Sequence, residues 1–274
     1  LDVGRTFVDA RVRRPWRDGL LRRALRTVVS RPRLFALLFR AGRVARPLLP
    51  PAWRERLDVA RPLAPAAPPG DRAASARATP PDAASAIPAS VVTLRGCVQP
   101  TLAPGTNAAA ARVLAHQGTR WQEIRGAGCC GALHFHFGDR ARALRLARRN
   151  VKALCAALDA GARHVVSTAS GCGAFIREYG ALLADDPGCA DDARRVSEAH
   201  RDLSQVLDID SVARLPAPAA PAPAAAFHCP CTLAHGQGLE ERVPALLEAA
   251  GIPLRAVPGP SRCCGSAGAY AALE

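Results

Sequence analysis

The chain has 274 residues, 49% of them hydrophobic, which is enough to build one large domain or two smaller ones. Its ten cysteines stand in a sequence with no visible secretory signal, so they are typical of metal or redox ligands rather than of a disulfide framework. No apolar run reaches the roughly 18 residues of a membrane span, and an aromatic content of only 4% disfavours a base-stacking nucleic-acid surface.

The formal net charge of +14 is concentrated at the start of the chain, where residues 1–58 carry fifteen arginines against five acidic residues. Leucine and arginine recur there at helical spacing, which predicts helices over about residues 16–29 and 33–44. We therefore expect residues 1–59 to form a solvated basic helical arm at the periphery of a cytoplasmic protein, packed on a partner or on the main domain rather than forming a specific binding site. Such an arm fits an acidic partner or a peripheral contact with the inner face of the membrane, whereas nucleic acid is disfavoured.

Two segments rich in alanine and proline divide the rest of the chain. Residues 60–90 contain seven prolines and few large apolar side chains, so they are predicted to be a flexible linker. Residues 214–225 are predicted to be a second linker of the same kind. These linkers delimit a first cysteine-rich unit at 91–213 and a second at 226–274.

Strand and helix patterns alternate along the first unit. Short apolar strands are predicted near residues 91–94, 122–124 and 164–168, and helices are predicted over 106–116, over 139–160 and after Gly171-Cys172-Gly173, so that Cys172 precedes the last of them. Asp139 is predicted to cap the helix over 139–160, and Gly161 is predicted to end it. This alternation predicts an α/β fold that is built of βαβ units with a mainly parallel sheet.

The cysteines follow a repeated pattern in which 31 residues separate a lone cysteine from a Cys-Cys-Gly triplet. The pattern occurs twice at an offset of 134 positions, as Cys97 with Cys129-Cys130-Gly131 and as Cys231 with Cys263-Cys264-Gly265. A strand and then a helix are predicted around each lone cysteine, so the pattern indicates an internal duplication. The first triplet also fits the dinucleotide fingerprint G-x-G-x-x-G, but the second copy lacks the first two glycines that a phosphate loop needs, which makes this match accidental.

The chemistry of these cysteines favours an iron–sulphur cluster. Adjacent cysteines rarely bond to each other because the ring is strained, whereas their thiolates can bind two irons of one cluster. Thiolates at the ends of parallel strands converge on one crevice, so we predict a four-thiolate site from Cys97, Cys129, Cys130 and Cys172. Four thiolates suit a [4Fe–4S] cluster or a tetrahedral zinc ion, and the absence of a C-x2-C pair favours iron.

The second unit is predicted to be incomplete. Its counterpart of Cys172 would fall at position 306, whereas the sequence ends at Glu274. Cys231, Cys263 and Cys264 are therefore expected to form a three-thiolate remnant of the first site.

The repeated C-x31-CCG pattern resembles the cysteine-rich CCG domain of heterodisulfide-reductase-type proteins. The stretches TASGCG at 168–173, PCTLAHGQ at 230–237 and CCGSAG at 263–268 resemble the iron–sulphur subunits of glycolate oxidase more closely. Those subunits normally begin with a ferredoxin-like region that carries two C-x2-C-x2-C-x3-C-P motifs, and no such motif occurs here. The resemblance therefore implies a fragment that lacks the N-terminal ferredoxin region and the C-terminal end. Phe175, three residues after Cys172, stands where the heterodisulfide-reductase members often have a further cysteine.

The resemblance implies an electron-transfer subunit of an oxidoreductase complex. A separate flavin-containing subunit would oxidise glycolate to glyoxylate, and the electrons would pass through this chain to an acceptor that the sequence does not identify. No residue of this chain is predicted to be catalytic, because it shows no convincing Ser-His-Asp or paired-carboxylate constellation. Two alternatives stay open: a lactate-utilisation or heterodisulfide-reductase-like subunit with thiol chemistry at the cluster, and a structural zinc protein.

The remaining cysteines and two histidines receive simpler predictions. Cys155 is expected to be a buried inert thiol on the apolar face of a helix, Cys189 an exposed loop thiol and Cys229 incidental to the site. His134 and His136 flank Phe135 in a segment that is predicted to be extended. A surface pair is favoured there over hydrogen-bond donors to cluster sulphur.

Overall fold

The computed structural model describes residues 16–48, 91–216 and 222–259, together with Phe7, Arg11, Val12, Pro50 and Arg54. The predicted linker at 60–90 and the triplet of Cys263, Cys264 and Gly265 lie outside the described residues.

Helices dominate the described part of the chain. In chain order they are α1 (Trp16–Val29), α2 (Pro32–Val44), α3 (Gln99–Leu102), α4 (Gly105–His116), α5 (Ala132–His136), α6 (Arg140–Asp159), α7 (Ser170–Arg177), α8 (Tyr179–Leu182), α9 (Ala190–Ala199), α10 (Leu203–Val206), α11 (Ile209–Ala213), α12 (Cys231–Gln237) and α13 (Arg242–Ala249). A 3₁₀ turn follows α2 at Arg46–Leu48. The strands are β1 (Val91–Thr93), β2 (Trp121–Glu123), β3 (His164–Ser167), β4 (His200–Asp202), β5 (Ala225–Ala226) and β6 (Leu254–Arg255).

The first four strands form one parallel sheet in the order β2-β1-β3-β4. Val91 pairs with Trp121 on one side and with His164 on the other, so β1 lies at the centre of three neighbouring strands. Helices connect each strand to the next, and the predicted α/β class with a parallel sheet is confirmed. Val91 and Val92 are buried, which fits the continuous apolar run typical of a strand that is covered on both faces.

Helix α6 supplies much of the core beside this sheet. Asp139 caps its start by accepting a hydrogen bond from the backbone N–H of Arg142, and Gly161 follows its end with a positive φ of 97°. The side chains of α6 that are buried against the sheet and its neighbouring helices are Ala143, Leu146, Ala147, Asn150, Val151, Leu154 and Cys155. The N-cap aspartate and the glycine stop that the sequence predicted are both confirmed.

The described part of the second unit contains a small two-stranded parallel sheet. Strands β5 and β6 pair in parallel, with Ala225 opposite Leu254, and α12 and α13 lie between them in the chain. Ala225 stands 134 positions after Val91, which pairs with Trp121 in the same way. This pairing is consistent with the predicted duplication, while the domain boundaries stay predictions.

The basic arm contains the two helices that its sequence predicted, α1 and α2, and they pack against each other. Pro32 occupies the first turn of α2, where its missing N–H costs no helical hydrogen bond. Helix α2 has no buried residue, and Leu37 is 65% exposed on its outer side. Among the described helices, none is long and apolar enough to span a membrane.

Candidate metal centre

The sheet carries its cysteines at one edge, just beyond the carboxyl ends of three strands. Cys97 follows β1, Cys129 and Cys130 follow β2, and Cys172 lies in the first turn of α7 after β3. The chain leaves β1 toward β2 and leaves β3 toward β4, in opposite directions along the sheet. Such a reversal of direction opens the crevice in which α/β sheets bind ligands. One detail differs from the prediction, because Cys172 lies inside α7 rather than before it.

The structure brings the side chains of Cys97, Cys129, Cys130 and Cys172 together. The sulphurs of Cys130 and Cys172 are 3.3 Å apart. The Cys129 thiol interacts with both Cys130 and Cys97 through side-chain hydrogen bonds. Cys129 and Cys130 are buried, whereas Cys97 and Cys172 are half-buried. We call these four side chains the cysteine tetrad, and their role as ligands stays a prediction.

Hydrogen bonding within the tetrad lowers the pKa of two of its thiols and raises the pKa of the other two. Hydrogen bonds from Cys130 and Cys97 lower the pKa of Cys129 to about 3. A hydrogen bond from Cys130 likewise lowers the pKa of Cys172. The pKa values of Cys97 and Cys130 rise because these thiols share hydrogen bonds with their neighbours and because both are buried. The metal-free tetrad therefore favours thiolates at Cys129 and Cys172, and the thiolate is the form that binds metal.

A set of buried polar contacts fixes the backbone of the Cys-Cys-Gly turn. Asn150 on α6 donates to the carbonyl of Cys129 at 2.9 Å and accepts from the N–H of Gly128 at 3.1 Å. Tyr179 on α8 donates to the carbonyl of Cys130 at 2.6 Å and accepts from the Asn150 amide at 3.1 Å. Since Asn150 and Tyr179 are fully buried, these bonds satisfy groups that water does not reach.

The sequence analysis did not identify Asn150 or Tyr179 as part of the site. A signal for Asn150 was present, because an amide on the apolar face of an amphipathic helix needs buried partners. Tyr179 carries no comparable local signal, since its partner Cys130 lies 49 positions earlier in the chain.

A second polar network joins the ends of three strands beside the tetrad. Gln99 donates to Asn107 at 2.8 Å and to Thr168 at 2.7 Å, and Asn107 donates to Glu123 at 2.8 Å. Thr168 also donates to Asn107 at 2.9 Å. The network links segments that follow β1 and β3 to the end of β2, so it holds the strand ends that carry the cysteines in a fixed relation.

The predicted surface pair of histidines is corrected at His134. Residues 132–136 form helix α5 rather than an extended segment, because Gly131 adopts a left-handed conformation and begins a helix directly. His134 is 5% exposed, and its Nδ1 lies 3.4 Å from the Asp139 carboxylate. The electrostatic influence of its ring also contributes to lowering the pKa of Cys129. Sequence alternation could not reveal this placement, since it suggested an extended segment.

The other described cysteines lie apart from these contacts. Cys155 is buried on α6 as predicted, and burial is the main reason that its pKa rises to about 12. Cys189 was predicted to be exposed, but it is half-buried and packs against the core at the start of α9. Cys229 is half-buried, and burial raises its pKa.

Of the predicted second site, only Cys231 lies within the described residues. It is exposed and begins α12, which packs against α7, the helix that carries Cys172. Thr232 donates to Ser170 at 2.8 Å, and an added Cβ at Gly236 would lie 3.2 Å from Ala174. The start of the second unit is thereby packed close to the first. Cys263 and Cys264 lie outside the described residues.

The tetrad fits a metal group in donor number and donor chemistry, but its sulphurs are too close together as they stand. Within the described residues, no group of three or more His, Cys, Asp or Glu side chains is arranged to hold a metal ion. The 3.3 Å between Cys130 and Cys172 is shorter than the roughly 3.8 Å that tetrahedral zinc with bonds of about 2.3 Å would impose. Thiolates around a cubane cluster stand farther apart still. Binding either group therefore requires this pair to separate.

A parallel sheet that carries cysteines at one edge, with a repeated Cys-Cys-Gly element, defines a cysteine-rich domain protein. The cysteine-rich domain family CCG matches residues 91–177 and 225–274, which together are half of the chain. The chain belongs to this family. The two matched segments are those in which the sequence shows the repeated pattern.

The comparison with individual proteins points to one kind of subunit. The glycolate oxidase iron-sulfur subunit of Escherichia coli (strain K12) is 41% identical over 271 residues, or 99% of this chain and 62% of that protein. The probable glycolate oxidase iron-sulfur subunit of Bacillus subtilis (strain 168) is 38% identical over 112 residues, or 41% of this chain and 24% of that protein. Lactate utilization protein A of Bacillus velezensis is 29% identical over 167 residues, or 59% of this chain and 66% of that protein. The chain thus spans less than two thirds of each of these relatives.

Proposed function

We propose that this chain is an iron–sulphur electron-transfer subunit of an oxidoreductase complex of the glycolate oxidase type. The proposal is supported by the 41% identity to the glycolate oxidase iron-sulfur subunit of Escherichia coli along almost the whole chain. The observation that carries it is the cysteine tetrad, which gathers four thiols from three strand ends at the crevice of a parallel sheet.

In this proposal Cys97, Cys129, Cys130 and Cys172 hold a [4Fe–4S] cluster, and the bound cluster supplies one-electron transfer. The chain contributes the geometry and the charge state of the ligands. Asn150 and Tyr179 hold the carbonyls of the Cys-Cys-Gly turn, so both thiols of that turn stay aimed at the crevice. The lowered pKa of Cys129 provides a ligand that is deprotonated before a metal binds, and the pKa of Cys172 is shifted in the same direction.

The chain is proposed to pass electrons rather than to act on the organic substrate. A flavin-containing partner subunit would oxidise glycolate to glyoxylate and deliver the electrons to the cluster. No residue of this chain is assigned acid–base or nucleophilic work. Cys231, Cys263 and Cys264 are proposed as further cluster ligands of the second unit, and Cys231 lies on the helix that packs against the one bearing Cys172.

We place the complex in the cytoplasm, with peripheral contact at the inner face of the membrane as a further proposal for the basic arm. The eight described cysteines are free thiols, which suits a reducing compartment. The arm exposes both arginines and large apolar side chains, among them Leu38 and Val44, as a surface helix at an anionic lipid boundary would.

A subunit of a lactate-utilisation system is a second candidate, and the 29% identity to lactate utilization protein A of Bacillus velezensis favours it. The tetrad would hold the same kind of cluster in that case, and only the partner's substrate would differ. A structural zinc site is disfavoured by the absence of a C-x2-C pair.

Reconstitution with iron and sulphide tests the proposal through the replacement Cys130→Ser. The chain without the substitution should gain a broad visible absorption band, bound iron and labile sulphide. After reduction it should transfer electrons to a dye. Cys130→Ser should lose most of the iron, because it removes the thiol that contacts both Cys129 and Cys172.

The matched control is Cys189→Ser, which removes a half-buried thiol outside the tetrad and should retain the iron. Equal iron in both variants would remove Cys130 from the ligand set. Stoichiometric zinc in the purified chain, with no visible band after reconstitution, would overturn the iron–sulphur assignment itself.

A further inference from the structure

A cavity of about 750 Å³ lies between the basic arm and the first cysteine-rich unit. One wall is the face of α2, and the other comes from the segment after β1, the Cys-Cys-Gly turn and helix α6. Gly128 and Cys129 form part of that second wall, so the cavity reaches the cysteine tetrad from outside.

Among the described residues, the cavity is lined by six arginines and by no acidic side chain: Arg31, Arg33, Arg40, Arg43, Arg95 and Arg149. On α2, the residues Arg33, Ala36, Arg40 and Arg43 recur every three or four positions, which places them on one face of the helix. Arg95 and Arg149 line the cavity from the first cysteine-rich unit. The guanidinium of Arg149 comes within 2.9 Å of the position that a Cβ on Gly128 would occupy.

These arginines lack carboxylate partners within the described part of the chain. The ion pairs there involve other arginines, such as Arg148 with Asp186 and Arg195 with Asp159. Two walls of like charge that face each other across a cavity repel, and the repulsion falls when an anion lies between them. The arm would thus be held against the first unit more firmly with a polyanion in place.

The start of α2 adds to the positive character of the cavity. Ser30, Arg31 and Arg33 line the cavity at the amino end of the helix. That end has no acidic residue in its first turn and no side-chain cap. The unpaired N–H groups of a first turn carry partial positive charge, so they favour an anion in the same space as the arginines.

The size and the apolar part of the lining indicate the class of ligand. Cavities of about 300–1,000 Å³ hold small organic molecules, and a single carboxylate or phosphate would leave most of this volume empty. Phe39, Pro100, Pro104 and Leu146 contribute apolar surface beside the arginines. A ligand with several phosphate groups and a flat, largely apolar body matches both parts of the lining, because arginine forks bind phosphate oxygens in pairs.

We propose that this cavity is a binding site for an organic polyphosphate of the nucleoside di- or triphosphate class, seated beside Cys129. The phosphates lie among the arginines of α2 and the first unit, and the ring system lies against Phe39 and the neighbouring prolines. Recognition is by arginine side chains and not by a glycine-rich loop, since the Arg149 guanidinium occupies the space at Gly128. The site goes beyond electron transfer and does not depend on a bound cluster.

Calorimetric titration of the full chain with ADP tests the site with and without prior reconstitution. We expect saturable one-to-one binding in both forms. The double variant Arg40→Ala/Arg149→Ala removes one arginine from each wall and should weaken ADP binding by about tenfold or more. The matched control Arg23→Ala/Arg145→Ala removes two exposed arginines from α1 and α6 that do not line the cavity. It should bind ADP as the unchanged chain does.

Two further probes separate this site from other anion contacts. Inorganic tripolyphosphate should bind more weakly than ADP, because it makes no contact with the apolar wall; equal affinity would overturn the organic part of the proposal. An oligoglutamate peptide that binds more tightly than ADP would overturn the organic polyphosphate in favour of an acidic protein segment.

The whole proposal is overturned if ADP binding does not saturate at millimolar concentration, or if the control variant weakens ADP binding as much as Arg40→Ala/Arg149→Ala does. Circular dichroism should show unchanged helix content in both double variants, since the replaced side chains are exposed.

Discussion

Cys129 and Cys130 are adjacent in the chain but reach different partners. Cys129 contacts Cys97 at the end of β1, whereas Cys130 contacts Cys172 in the first turn of α7. The pair therefore bridges the two strands that flank the crevice. Two thiolates that diverge in this way can bind two metal atoms of one cluster, which a single cysteine cannot do from one strand end.

Gly131 allows this arrangement through its backbone conformation. Its φ is 101°, a left-handed value that side chains with a Cβ disfavour. A Cβ at this position would also lie 3.1 Å from the carbonyl of Ala143 and 3.3 Å from the ring of Phe175. The glycine thus lets the turn pack directly against α6 and α7.

We predict that Gly131→Ala lowers the free energy of unfolding of the metal-free chain by about 2 kcal/mol. The cost comes from the left-handed backbone together with the close contacts behind it, and urea denaturation measures it. Gly171→Ala is the matched control, since Gly171 lies in a helix with nothing within 4 Å of its added Cβ. It should leave stability unchanged or raise it by up to about 1 kcal/mol. Equal stability of the two variants would refute the role of Gly131.

At the scale of elements, two helices hold the Cys-Cys-Gly turn from behind. Asn150 from α6 and Tyr179 from α8 bond to each other and to consecutive carbonyls of the turn. Burial is the first cause of the raised pKa of Tyr179, so its hydroxyl stays protonated and donates to Cys130. The turn depends on the packing of helices that lie 20 to 50 positions later in the sequence.

We expect Tyr179→Phe to destabilise the metal-free chain by about 1–3 kcal/mol, because it leaves the buried carbonyl of Cys130 without its donor. The reconstituted variant should also bind less iron, as its Cys-Cys-Gly turn is held less firmly. A double-mutant cycle with Asn150→Ala, read by urea denaturation, tests the shared role. The two changes should couple by at least about 0.5 kcal/mol, and additive effects would argue that each residue acts alone.

The elements themselves were largely predictable, because their signals are local. Trp16–Val29 was predicted with the bounds that the structure gives, and proline and glycine marked other helix ends. The start of α7 was missed by the sequence, since Ser170 and Gly171 resemble a loop before a helix. Helix α5 was missed because His134, Phe135 and His136 alternate in polarity as a strand would, while tertiary packing behind Gly131 decides the outcome.

At the scale of the whole molecule, the site depends on the order of the strands. Sequence spacing predicted four cysteines near strand ends, and parallel pairing brings those ends to one edge. The sequence allowed the basic arm to pack on the main domain, but the residues that meet across this contact were not predictable. Arg40 and Arg149 are 109 positions apart, and no periodic pattern relates α2 to α6 across the intervening residues.

His200 lies where the sheet, α7 and the second unit meet. Its Nε2 is 3.0 Å from the hydroxyl of Ser167, and its Nδ1 has no hydrogen-bond partner among the described atoms. A Cβ added to Gly173 would lie 3.1 Å from both the His200 ring and the amide oxygen of Gln237, which belongs to α12. The junction of the two units is therefore closely packed around a neutral imidazole.

Burial, followed by the positive charges of Arg177 and Arg201, lowers the pKa of His200 to about 3. In the unfolded chain its pKa returns to about 6.5, so between these values the unfolded state binds a proton that the native state does not. Stability should accordingly fall as pH drops below 6.5, by up to about 1.4 kcal/mol per pH unit from this residue, until the pH approaches 3. Urea denaturation of the metal-free chain between pH 7.5 and 4 measures this loss of stability per pH unit.

The control variant His200→Gln keeps a hydrogen-bonding group for Ser167 but has no titrating ring. Its stability should fall clearly less steeply with acid over the same pH range. If the variant loses stability with acid as steeply as the unchanged chain, the junction does not hold His200 in its neutral form, and acid instability arises from the carboxylates alone.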